Sequence, residues 1–178
     1  QAVKSYKAAL KLKPEFAESH YNLGAALQDL EHLDEAVLSY KTAILLQPDY
    51  ADAHYNLGIL YHDIGQLEMA IKSLKISIII KPENAEAHKY LGNTLQTNGQ
   101  VDEAIKCYEK ALSIKPEHAD AHRNLSTVKK YTQGDKQFIL MKKLLTKGSL
   151  DQSNQIHLCF ALAKAYEDLG MQDELFEV

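Results

Sequence analysis

Between residues 18 and 30, apolar or small side chains at Tyr21, Leu23, Gly24, Ala26, Leu27 and Leu30 fall along one face of a helix. A polar break follows, and a second amphipathic helix is expected over residues 34–46. This two-helix pattern then repeats in phase. Pro14, Pro48, Pro82 and Pro116 stand 34 residues apart. His20, His54, His88 and His122 keep the same interval, as do Leu23, Leu57, Leu91 and Leu125. Gly24, Gly58 and Gly92 follow the first three leucines, and Ser126 follows the fourth. A fixed period of this length implies stacked helical units, not a closed domain around one core.

Local signals set the ends of the expected helices. Asp34 and Asp102 precede Glu-Ala runs and are expected as N-caps. Gly65, Gly99 and Gly170 lie where a left-handed residue ends a first helix, and Glu31 in that place implies a slightly strained turn. Each proline ends a second helix, since it supplies no backbone N–H. The pairs Gly24/Ala43, Gly58/Ser77 and Gly92/Ala111 are expected to let paired helices approach closely.

The period fails after residue 132. A fourth first helix is expected over 119–131, then a turn at TQGD. A shorter helix follows over 136–147, with Phe138, Ile139, Met141, Leu144 and Leu145 as its apolar face. KGSLDQSNQ reads as a loop, and 155–169 restores a first-helix pattern with Leu162, Ala163 and Tyr166. Residues 172–178 read as the start of a partner helix.

The stretches HYNLGAALQDLEHLDEAVLSYKTAILLQP, HYNLGILYHDIGQLEMAIKSLKISIIIKP and HKYLGNTLQTNGQVDEAIKCYEKALSIKP resemble the tetratricopeptide repeat family. The resemblance implies an all-α fold, a right-handed α-α superhelix of antiparallel helix pairs. It divides the chain into the second helix of a truncated repeat (1–16), repeats at 17–50, 51–84 and 85–118, and a degenerate, truncated C-terminal part with a junction at 119–178. Within that last part, AHRNLSTVKKYTQGDKQFILMKKLL followed by QIHLCFALAKAYEDLG resembles the repeat region that precedes the catalytic domain of bacterial sulfotransferase proteins. That implies a catalytic domain beyond residue 178 in the parent protein, and the mid-repeat start implies that the natural N-terminus lies upstream.

Composition narrows the partners. A net charge of −4 gives no general reason to expect nucleic acid or an anionic membrane. No wholly apolar run, that at 78–80 included, approaches the ~18 residues that span a bilayer. No signal peptide is visible, and a cytoplasmic setting is expected. Cys107 and Cys159 are isolated thiols on expected helices, read as small buried hydrophobes before a disulfide or a nucleophile.

Chemistry-bearing constellations are sparse. The in-phase histidines invite a metal reading, but helices in a stack lie about 8–10 Å apart, too far for successive imidazoles to share one ion. Packing at the core or groove edge is the better reading. His118 and His122 have a chelating spacing, but His118 falls in the turn after Pro116 and no third ligand is evident. No catalytic residue, metal or cofactor is expected.

The resemblance implies that first helices line a concave groove. Its expected lining is Glu18, Tyr21, Asn22, Ala25 and Asp29, then Asp52, Tyr55, Asn56, Ile59 and Asp63. Glu86, Lys89, Tyr90, Asn93 and Thr97 follow, then Asp120, Arg123, Asn124, Thr127 and Lys130. Asn22, Asn56 and Asn124 resemble the asparagine ladder of O-GlcNAc transferase repeats, whose amides grip a ligand's backbone. An amide donates and accepts, so it suits a peptide main chain, although bonding across repeats or plain solvation are alternatives. Lys89, Asn93 and Asn124 also resemble part of the carboxylate clamp for chaperone C-terminal tails, and an acidic peptide end is expected near Lys89 and Arg123. On the outer side, Leu45, Ile76 and Ile79 occupy outward phases and are expected to form a contact patch. Uncapped ends imply fraying or end-to-end self-stacking.

Two functions fit. The first is a non-catalytic scaffold that binds an extended peptide or protein segment in the groove. The second is the substrate-recognising N-terminal region of a larger transferase, sulfotransferase-like or O-GlcNAc-transferase-like.

Overall fold

The structure is a computed structural model that describes residues 1–148 and 150–171. It is an all-α solenoid, a right-handed superhelix of antiparallel helix pairs. The helices are α1 (Ala2–Leu12), α2 (Ala17–Gln28), α3 (Leu33–Leu46), α4 (Ala51–Asp63), α5 (Leu67–Ile80), α6 (Ala85–Thr97), α7 (Val101–Ile114), α8 (Ala119–Ser126), α9 (Lys136–Thr146) and α10 (Gln152–Leu169). Packing is densest within the pairs α2/α3, α4/α5 and α6/α7, and each second helix also leans on the next first helix. The buried interior is accordingly a string of clusters. Leu23, Leu27, Ala36, Tyr40, Leu57 and Leu60 form one, and Leu74, Leu91, Leu95, Tyr108 and Leu125 form the next. Among the described residues, no helix is long and apolar enough to cross a membrane.

The repeated glycines set the spacing within each pair. A Cβ added at Gly24 would lie 2.8 Å from the Tyr40 ring, and one at Gly92 would lie 2.6 Å from the Tyr108 ring. At Gly58 it would lie 2.6 Å from Leu74 Cγ. The glycines thus accommodate one large side chain on the second helix. Ala43, Ser77 and Ala111, expected as their counterparts, are buried, but the near neighbours of the glycines are Tyr40, Leu74 and Tyr108.

Turns and caps follow local chemistry with some corrections. Gly65 and Gly99 have φ of +77°, and Gly170 has +69°, as their turns require. Glu31 takes φ 60° without glycine's freedom, so this turn is strained. Asp34 and Asp102 do not cap. His32 and Gln100 hold the cap positions, and the two aspartates sit in the first turn, where they face the positive end of the helix dipole. Side-chain caps occur instead at Asn84, Asp135 and Asp151. The residues before the prolines, Gln47, Lys81 and Lys115, leave helical geometry at ψ of 91°, 82° and 87°, because a following proline disfavours the helical region.

The fourth unit departs from the expected form. α8 ends at Ser126, five residues short of the expected end at 131. Ser126 and Thr127 turn their hydroxyls back onto the carbonyls of Arg123 and Asn124, a local alternative to a further helical turn. Ser126 also brings a Cβ to the glycine position. α8 and α9 lack the dense packing of the earlier pairs, and both pack on α10 instead. Phe138 meets Tyr166 edge-on, with ring centroids 5.2 Å apart. Phe138 and Met141 are buried on α9 as expected, but Ile139 points to solvent. α10 begins at Gln152, within the expected loop, and buries Ala161 and Ala165 on either side of Leu162. The expected helix start at 172–178 lies outside the described residues.

If the glycines set helix spacing, Gly92→Ala costs more than the helix propensity it gains. Equilibrium urea unfolding is expected to show a net loss of about 1–3 kcal/mol, against a gain of about 1 kcal/mol for a permissive helical glycine.

Candidate functional site

The first helices α2, α4, α6, α8 and α10 touch one another, from α2 to α8 through residues expected to line the groove and at α10 through His157 and Phe160. Asn56 Nδ2 donates to the Tyr21 hydroxyl at 3.0 Å, joining α4 to α2. Tyr55 and Tyr90 meet edge-on at 5.7 Å between centroids, joining α4 to α6. Asn124 Nδ2 donates to Asn93 Oδ1 at 2.8 Å, joining α8 to α6. His157 Nδ1 lies 2.6 Å from Asp120 Oδ1, and Arg123 lies over the Phe160 ring at 5.6 Å, joining α10 to α8. These contacts make one continuous wall.

The wall uses its amides unequally. Asn22 is half-buried and makes no hydrogen bond among the described residues. Asn56 spends its amide nitrogen on the Tyr21 hydroxyl and also acts on the Tyr40 hydroxyl, and its carbonyl oxygen makes no hydrogen bond among the described residues. Asn93 Oδ1 accepts from Asn124 and lies 2.9 Å from the Tyr108 hydroxyl. The Tyr108 hydroxyl also reaches Gln96 Oε1 at 2.8 Å, so its single hydrogen is shared between two acceptors. Bonding across repeats, the alternative to ligand binding, is therefore present at Asn56, Asn93 and Asn124.

Lys89 differs from the clamp expectation. It is only 8% exposed, its ammonium lies 2.8 Å from Glu86 Oε2 and 3.8 Å from Asp120 Oδ2, and it rests 4.5 Å from the Tyr90 ring centroid. It is spent on internal carboxylates and does not present a free cation to an acidic peptide end. Burial raises the Glu86 carboxyl's affinity for a proton, but Lys89 and His118 outweigh it, and the group ends below its ordinary pKa. His118 Nε2 lies 3.0 Å from Glu86 Oε1, though off the line a hydrogen bond needs. Arg123 remains exposed beside Phe160.

The tyrosines at the other end form a cluster. Tyr21 lies 5.1 Å from Tyr50 and 5.9 Å from Tyr40, centroid to centroid. Burial, with Tyr21 and the carboxylates of Glu18 and Asp52, pushes the Tyr50 hydroxyl's pKa up. Burial and the neighbouring Tyr21 push Tyr40 up to about 12. The Tyr40 and Tyr50 hydroxyls stay neutral at physiological pH.

The four in-phase histidines have one job that the sequence reading missed. Each Nε2 lies against the carbonyl of the proline six residues before it, at 2.8 Å for His20, 3.0 Å for His54 and His88, and 2.8 Å for His122. A carbonyl only accepts, so Nε2 carries the proton. The constant spacing of six between the two beats was the available signal. On His122, Nδ1 then accepts from Gln137 Nε2 at 3.2 Å, which ties α8 to α9. Among the described residues, no three His, Cys, Asp or Glu side chains are grouped to hold a metal ion. The two cysteines are free and half-buried, and burial pushes the Cys107 thiol up to about 11, which suppresses the thiolate.

On the outer side, Leu45 is 80% exposed and Ile79 is 76% exposed, but Ile76 is half-buried and does not point fully outward.

Sequence models described as TPR repeat match residues 1–31 and 29–65, and models described as tetratricopeptide repeat match 51–84 and 85–118. Together they take in residues 1–118, and through them the chain belongs to the tetratricopeptide repeat family. Solved structures agree on the fold. The crystal structure of MamA shares 26% identity, covers 97% of this chain and 89% of its own, and has a TM-score of 0.69. YrrB, described as a TPR protein with an unusual peptide-binding site, shares 23% identity over 87% of this chain and 80% of its own, at a TM-score of 0.67. An O-GlcNAc transferase mutant from Thermobaculum terrenum shares 22% identity over 74% of this chain and 26% of its own, at 0.62. No curated protein matches.

Burial lowers the pKa of His122 to about 4, against an ordinary value of 6.5. The unfolded chain therefore binds a proton that the folded chain refuses between these values. Stability is retained above pH 6.5 and falls as the pH drops towards 4, by roughly 3 kcal/mol for this group. Urea midpoints at pH 7 and pH 4.5 are expected to converge in His122→Gln relative to the parent, at a lower stability at pH 7.

Proposed function

We propose that the chain is a non-catalytic interaction scaffold whose first-helix wall holds an extended peptide or protein segment. The observation that carries the reading is the inner wall itself. It combines the uncommitted amide of Asn22, the remaining acceptor of Asn56, and the rings of Tyr21, Tyr55 and Tyr90. A main chain offers alternating donors and acceptors, and amides match both without demanding one side-chain sequence. The peptide-binding site in the description of YrrB supports this use of the fold. A non-catalytic reading is supported by the four in-phase histidines, which bond to proline carbonyls, and by the Cys107 thiol, which burial holds protonated. Self-association through Leu45 and Ile79 and a cytoplasmic setting belong to the same proposal.

A second reading makes this stretch the substrate-recognising part of a larger transferase. The likeness to O-GlcNAc transferase favours it at the level of the fold alone, and the sulfotransferase variant rests on the sequence run at 119–178. Either way the groove performs the same binding task.

Short random peptides selected by display on the folded protein test the proposal. Selected peptides are expected to bind the parent and to lose about tenfold in affinity to Asn22→Ala/Asn56→Ala, equivalent to roughly 1.4 kcal/mol from two amides. Equal affinity for parent and variant, with both folded by circular dichroism, contradicts it.

A further inference from the structure

The wall repeats one site with different contents. In the second half, Glu86 and Asp120 flank Lys89, and His118 lies against Glu86. Two repeats earlier, the phase-equivalent residues are Glu18, Asp52, Tyr21 and Tyr50. Both carboxylate positions are kept. The lysine and the histidine are replaced by two tyrosines whose rings pack at 5.1 Å.

The charge balance of the two copies therefore differs. Around Lys89 the protein supplies its own cation, seated over the Tyr90 ring. At the first copy, Asp52 is held by Lys81 at 2.9 Å, but Glu18 is exposed and has no ion-pair partner among the described residues. Asp29, on the last turn of the same inner line and close enough to act on Tyr40, is also exposed and unpaired. Lys89 shows what chemistry this architecture accepts: a primary ammonium on a tyrosine face beside carboxylates. Such a cation gains from the ring quadrupole and from the carboxylates together.

We propose that the Glu18–Tyr21–Tyr50 stretch of the wall takes a lysine or arginine side chain of the bound segment. The inference rests on the wall being a peptide groove and gives that groove a polarity. Basic residues of the ligand lie over α2 and the start of α4, where the protein has put tyrosines in place of its own lysine and histidine. This reverses the expectation of an acidic ligand end at Lys89.

Three matched Gly-Ser-rich peptides test it, with lysine, glutamine or glutamate at alternate positions, titrated by fluorescence anisotropy at physiological salt. The lysine peptide is expected to bind most tightly. Glu18→Gln, at an exposed position that leaves the fold intact, is expected to weaken it about fivefold. Glu68→Gln, which removes a carboxylate from the second-helix side on α5, is expected to leave it unchanged. Tyr21→Lys restores the arrangement seen at Lys89 and is expected to displace the lysine peptide while the glutamine peptide still binds. Equal affinities for the lysine and glutamine peptides, or equal losses from Glu18→Gln and Glu68→Gln, overturn the inference. If the glutamine peptide binds and loses affinity in Asn22→Ala/Asn56→Ala, the groove reading survives that failure. If none of the three peptides binds, both fall together.

Discussion

The solenoid depends on a close approach between a glycine on each first helix and a large side chain on its partner. Gly24 against Tyr40, Gly58 against Leu74 and Gly92 against Tyr108 leave no room for a Cβ. That approach seats the tyrosines deeply enough for their hydroxyls to reach back to the first helix, Tyr40 to Gln28 and Tyr108 to Asn93 and Gln96. The two pairs that hold a tyrosine are thereby fixed in rotation by a contact and a hydrogen bond, and the Gly58–Leu74 pair by the contact alone. The contact is local, but the wall is its consequence.

The fourth unit shows the same constraint from the other side. With Ser126 in the glycine's place, α8 and α9 do not pack as a tight pair, α8 stops after 8 residues, and α10 becomes the main partner of both. α9 still stands in a second-helix role, displaced by four residues. The crevice lined by Glu109, Leu112, Ser113, His122, Leu125, Lys136, Gln137 and Leu140 matches one lined by Lys75, Ile78, Ile79, His88, Leu91, Lys106, Cys107 and Lys110. Its volume is about 550 Å³, against about 360 Å³ in the regular unit.

The period made the helix pairs and their turns legible in the sequence, because packing repeats when residues repeat. Glu31 was legible as a strained turn for the same reason. What escaped was anything that depends on a pair of phases. The proline and histidine beats were each visible, but the hydrogen bond between them needs the three-dimensional turn. Lys89 looked like a groove cation because its phase faces inward, and only its distance to Glu86 and Asp120 shows that it is already spent. Asp34 and Asp102 were misplaced by two residues, since each lies inside the first turn, where a carboxylate faces the helix dipole as it would at a cap. The shortening of α8 lies at Ser126 and Thr127, whose hydroxyls turn back onto the carbonyls of Arg123 and Asn124, a choice that residue type alone does not announce.

The central claim is that one wall, built from α2, α4 and α6, receives an extended segment. The most direct measurement is a ¹⁵N–¹H chemical-shift map of the folded protein titrated with a selected peptide. The account predicts that shifts concentrate at Tyr21, Asn22, Tyr55, Asn56 and Tyr90 and in the side-chain amides of the two asparagines. Shifts confined to α3, α5 and α7, with the first helices unchanged, would contradict it.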